Sequence, residues 1–127
     1  MINHEERFRQ RIVFDGMEYD RKIRPTDIDF MLDFNGNLVM AEIKVAGNEL
    51  TIGQKIAFQN VAKMWRNTGK QFIAFYCTHN TPLDQDVVAA DTKVISYLRT
   101  YDADFQDLER DMTLKQAIAG WLNKHSI

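Results

Sequence analysis

Asp29, Glu42 and Lys44 are the residues of this chain whose types and spacing can do chemistry together. They flank Asn35-Gly36, a pair that favours a two-residue type I′ hairpin turn because both positions need positive φ. Such a turn fixes the register: facing residues have numbers that sum as Asn35 and Gly36 do. Phe30 then faces Ala41 and Leu32 faces Val39, while Asp29 faces Glu42 and Asp27 faces Lys44. Facing Cβ atoms in an antiparallel pair lie about 4.5–5.5 Å apart, so two carboxylates at one rung repel. A hard divalent cation such as Mg²⁺ or Mn²⁺ relieves that repulsion and keeps coordination positions for water and a substrate phosphate. A metal there lowers the pKa of a bound water, and Lys44 can position that water or offset developing negative charge. Glu42 and Lys44 are two apart on a strand and share a face. Ile43, between them, turns its side chain to the core, yet its carbonyl can reach a metal. Asp27 opposite Lys44 also reads as a plain cross-strand ion pair.

The elements that must position these residues are legible in the periodicity. Ile28, Phe30, Leu32 and Phe34 alternate along one strand, and Val39, Ala41, Ile43 and Val45 along the next; Met31 and Met40 face each other and read as packing. The opposite face reads as polar, with Asp33, near the turn, solvated. After a polar loop over residues 46–50, Thr51 and Gln54 have capping-box spacing and open a helix over residues 52–67. Gln54 is therefore both a cap residue and a candidate site residue. Ala57, Phe58, Val61, Met64 and Trp65 form the apolar stripe, and Gly69 sits where a C-terminal glycine belongs. Residues 71–77 read as a buried strand and 78–82 as loop. Residues 84–90 suggest a turn of helix, 93–99 another strand, and 100–111 an acidic, irregular surface. Thr113 and Gln116 repeat the capping-box spacing before a last helix that ends near Lys124, with Leu114, Ala117, Ile118, Trp121 and Leu122 on its apolar face. At the other end, Asn3 caps a short helix over residues 4–10, and Asp15-Gly16 turns a small hairpin over 11–19. The order predicts one domain over residues 1–127 of mixed α/β (α+β) class, a central mixed sheet flanked by helices.

Composition bounds the function. The 127 residues suffice for one core. The net charge of −2 does not itself signal nucleic-acid binding, but residues 1–79 carry +1 and residues 80–127 carry −3. Nucleic acid is therefore expected at the first part, where Arg7, Arg9, Arg11, Arg21, Lys22 and Arg24 cluster; each also reads as ordinary surface charge. Cys77 is alone, which excludes an intramolecular disulfide and a cysteine zinc site and fits a reducing cytoplasm. His4, His79 and His125 lack metal-ligand spacing. No apolar run spans a bilayer, and no secretory signal opens the chain.

The run Pro25-Thr26-Asp27-Ile28-Asp29, then Ala41-Glu42-Ile43-Lys44, then Leu50-Thr51-Ile52-Gly53-Gln54 with Phe58, resembles the PD-(D/E)XK nuclease superfamily, its VRR-NUC and RecB-like branches most. The resemblance covers roughly residues 25–77. It implies a restriction-endonuclease-like core and Mg²⁺- or Mn²⁺-dependent hydrolysis of DNA phosphodiesters. Asp29 and Glu42 would be the metal ligands, Lys44 the catalytic lysine and Gln54 an accessory residue; Asp27 competes with Asp29 for the first ligand position, and Asp29 is preferred because it alone faces Glu42. It also implies a Glu on the first helix, for which Glu5 and Glu6 compete. The absence of a sequence-reading module suits structure-specific or end-directed cleavage, a homodimer, and a phage or mobile-element protein. The alternative is a nuclease-like fold that binds nucleic acid or protein without turnover.

Overall fold

The computed structural model describes residues 10–19 and 27–127. The expected first helix, Glu5 and Glu6, most of the Arg-Lys cluster, Pro25 and Thr26 lie outside the described residues. The fold is mixed α/β: a five-stranded mixed sheet with two helices. Its strands are β1 (Phe30–Phe34), β2 (Asn37–Val45), β3 (Phe72–His79), β4 (Lys93–Arg99) and β5 (Gln106–Asp107), in that spatial order. The helices are α1 (Ile52–Trp65), which carries the chain from β2 to the parallel β3, and α2 (Leu114–Lys124). All other neighbouring strands are antiparallel. No described helix is long and apolar enough to cross a membrane.

The hairpin forms as its turn residues dictate. Asn35 and Gly36 take φ of 53° and 87°, and Phe30 pairs with Ala41, Leu32 with Val39. Asp33 is a turn residue rather than a merely solvated one: its Oδ1 accepts from the Gly36 N–H at 2.9 Å. The Gly36 carbonyl accepts from Trp65 Nε1 at 2.7 Å, which ties the turn to the end of α1.

The two faces of the sheet carry two cores. Val39, Ala41, Ile73, Phe75, Cys77 and Val94 pack with Leu114 and Trp121 of α2. Leu38, Met40, Phe72, Ala74 and Leu98 pack with Phe58 and Ala62 of α1. The second face of β2 is thus not the polar face its carboxylates suggest: Met40 is buried under α1, whereas its register partner Met31 is exposed on the edge strand. Within α1, Ala62 is buried and Met64 is exposed, so the stripe runs through residues 58, 62 and 65 rather than through 64.

Both capping boxes form, Thr51 with Gln54 and Thr113 with Gln116. Asn67, at φ 69°, takes the left-handed position directly after the α1 cap, ahead of Gly69. β3 runs on to His79, so the loop begins at Asn80. Residues 84–90 hold no α-helix; a 3₁₀ turn covers Ala89–Asp91. The acidic segment is not wholly irregular, since Gln106 and Asp107 pair with Tyr97 and Ser96. In residues 10–19 the Asp15-Gly16 turn forms, with Met17 N–H donating to Phe14 O at 2.9 Å, but no strands flank it.

Replacing Gly36 with Ala puts a side chain on a backbone that only glycine adopts at low cost. The expected loss is about 1–2 kcal/mol in urea denaturation. A variant as stable as the parent contradicts the role given to this turn.

Candidate functional site

β1 begins at Phe30, and the residue just before it continues the pairing with its side chain. Asp29 Oδ2 accepts the Ile43 N–H at 2.8 Å. Within a strand the N–H and C=O of one residue point to the same edge, so the Ile43 carbonyl is directed towards Asp29 as well. The register that pairs Phe30 with Ala41 extends to Asp29 beside Glu42.

Glu42 is the outlier among the described residues. It is a carboxylic acid only 6% exposed, on the face of β2 that runs from beneath α1. Burial, then the hydrogen bond with Asp29 and its charge, then the charge of Asp27, push its pKa up to about 8; the Lys44 ammonium offsets part of this. Its Oε2 is buried without a hydrogen-bond partner among the described residues. A buried, unpaired carboxylate oxygen costs several kcal/mol unless the group stays protonated or gains a cation.

The donor set suits one hard divalent cation: two adjacent carboxylates, one with an orphaned oxygen, and a strand carbonyl aimed to the same edge. No cluster of three or more His, Cys, Asp or Glu side chains is arranged to hold a metal among the described residues. A cation here therefore takes the remainder of its shell from water and substrate, as Mg²⁺ commonly does.

Lys44 is half-buried and close enough to lower the Glu42 pKa. Among the ion pairs of the described residues there is none between Lys44 and Asp27, so the plain cross-strand salt bridge is not formed. Asp27 reaches the site through its charge on Glu42, while Asp29 makes the hydrogen bond.

Gln54 is committed to its cap. Its Oε1 accepts from the Thr51 N–H at 3.0 Å, and its own N–H donates to Thr51 Oγ1 at 3.1 Å. No hydrogen bond joins Gln54 to Asp29, Glu42 or Lys44 among the described residues.

Tyr76 was not singled out by sequence reasoning. It pairs with Glu42 across the parallel β2–β3 ladder, and its hydroxyl donates to the Asn48 carbonyl. It thereby anchors the loop that leads from the Glu42-Lys44 strand into α1. Only the parallel register places it there, and no sequence periodicity reports that register.

Compared with protein-family models, with curated proteins and with solved structures, the chain has no match.

With metal excluded by EDTA, the folded protein holds the Glu42 proton up to about pH 8, against an ordinary value of 4.5. Between those values the fold binds a proton that the unfolded chain lacks, so this group makes stability fall as pH rises, by up to about 1.4 kcal/mol per unit. Glu42→Gln should flatten that slope and equal or exceed wild-type stability near pH 8. Denaturation curves across this range check it, and an unchanged slope contradicts the assignment.

Proposed function

We propose that this chain is a metal-dependent DNA nuclease of the PD-(D/E)XK type, with a restriction-endonuclease-like core. One observation carries the reading: Glu42 is buried against Asp29 with an oxygen that has no hydrogen-bond partner among the described residues. A strand pair designed only to fold would place an apolar residue there, since that substitution costs nothing in desolvation.

Asp29 and Glu42 would hold the cation, with the Ile43 carbonyl completing the protein's share. When bound, the ion polarises the scissile phosphate and acidifies a water. The protein's own contributions are distinct. The Ile43 N–H holds the Asp29 carboxylate in place. Lys44, on the same face as Glu42, orients the attacking water or stabilises charge on the phosphate oxygens as the bond to the leaving oxygen breaks. The core beneath Glu42 keeps the local dielectric low, which strengthens these interactions.

A second reading follows from Gln54. Its carbonyl is occupied by the cap, which favours a nuclease-like domain that binds nucleic acid or protein without turnover.

Cleavage of labelled single-stranded, duplex, flap and four-way-junction DNA separates the two. The nuclease reading expects cleavage with Mg²⁺ or Mn²⁺, none with EDTA, and a loss of at least 100-fold in rate for Lys44→Ala. Cleavage that survives EDTA or Lys44→Ala contradicts it, and binding without cleavage moves the assignment to the second reading. Thermal melting supplies an independent check. Mn²⁺ at 100 times its Kd should stabilise the wild type by about 2.7 kcal/mol through mass action and leave Glu42→Gln unmoved.

A further inference from the structure

The face of the sheet that carries Glu42 carries a second polar row one step further along the strands. Lys44 pairs with Thr78 in the β2–β3 ladder, and Thr78 pairs with Lys93 in the β3–β4 ladder. The β-bulge between Tyr76 and Cys77 sets that second pairing. Val94 packs towards α2, so its neighbour Lys93 turns to the opposite face, the one that bears Glu42 and Lys44. Neighbouring strands are about 4.8 Å apart, which separates Lys44 from Lys93 by about 10 Å with Thr78 midway.

Thr78 and Lys93 also line one open cleft of about 410 Å³, together with His79, Asn80, Thr81 and Gln85; its carboxylate is Asp91. The cleft is rich in neutral donors. The Thr78 hydroxyl makes no hydrogen bond among the described residues. His79 Nδ1 accepts the Thr81 N–H at 3.1 Å, which shapes the loop and leaves Nε2 to carry the ring proton. The Lys93 ammonium is 3.9 Å from Asp111, whose side chain is 91% exposed. So exposed a pair, at that distance, holds Lys93 weakly and leaves it available.

We propose that Lys44, Thr78 and Lys93 form a track for the phosphodiester backbone of the substrate strand. The scissile phosphate sits at Lys44, and an adjacent phosphate is held by the Thr78 hydroxyl and the Lys93 ammonium at the mouth of the cleft. The inference rests on the nuclease reading and adds to it the direction of the strand across β2, β3 and β4. Lys93 is a positioning residue in this scheme. It touches a non-scissile phosphate and takes no part in bond breaking.

The experiment uses the full chain and the DNA substrate that the wild type cleaves in the panel above, with Mn²⁺. Lys93→Ala should raise KM about five- to tenfold with kcat within about twofold. Binding measured in a Lys44→Ala background should show the salt slope, log K against log[salt], shallower by about 0.7–0.9 when Lys93→Ala is added. Thr78→Val should raise KM in the same direction, and Lys93→Arg should restore it. Lys115→Ala, on the exposed face of α2, is the control and should change neither quantity. A wild type that cleaves normally while Lys93→Ala leaves KM and the salt slope unchanged overturns the track but not the nuclease. A fall in kcat alone overturns the positioning role. A wild type that neither cleaves nor binds any DNA of the panel overturns both.

Discussion

The placement of a carboxylic acid inside the fold is the constraint on which the site depends. Glu42 is on a central strand, with the α1 core continuing along its face and Asp29 pressed against it from the edge. Neither neighbour can relax away. Asp29 is held by the Ile43 N–H, and the hairpin register is fixed by a turn with two positive φ values. A shift of one residue would send every side chain of β1 to the other face. The repulsion is therefore built in, and it is removed only by a proton or a cation.

The remainder of the architecture serves that placement. α1 covers the Leu38-Met40 end of β2, and Glu42 and Lys44 follow on the same face of the strand. Trp65 ties the far end of α1 to the hairpin turn, and Tyr76 ties the loop before α1 to β3. The helix is thus fixed at both ends relative to the strand that carries the site. α2 and its cluster close the other face, where Ile43 and Phe30 pack.

Those elements governed by local chemistry were legible in the sequence. The Asn35-Gly36 turn yields the β1–β2 register, and two Thr-x-x-Gln spacings mark the starts of both helices. β4 lies where the sequence places a strand, over residues 93–99. What depended on partners distant in sequence was not legible. Met40 reads as outward-facing until α1 is known to cover it, and Met64 reads as core until the neighbouring Ala62 is seen to take that place. The two-residue β5 has no pattern of its own. The row through Lys44, Thr78 and Lys93 depends on a parallel pairing and a bulge, neither of which leaves a trace in spacing. Of the candidate site, the juxtaposition of Asp29, Glu42 and Lys44 was readable because one tight turn brings them together. Gln54 read both as a cap and as a candidate site residue, and its hydrogen bonds fill the cap role.

The most direct measurement is a crystal structure of the protein grown with Mn²⁺, read by the metal's anomalous scattering. One peak is expected between the Asp29 and Glu42 carboxylates, with the Ile43 carbonyl among its ligands and Glu42 Oε2 no longer without a partner. A structure saturated with Mn²⁺ that shows no peak there, with Glu42 still protonated against Asp29, would contradict it and leave the pair as a buried acid hydrogen bond.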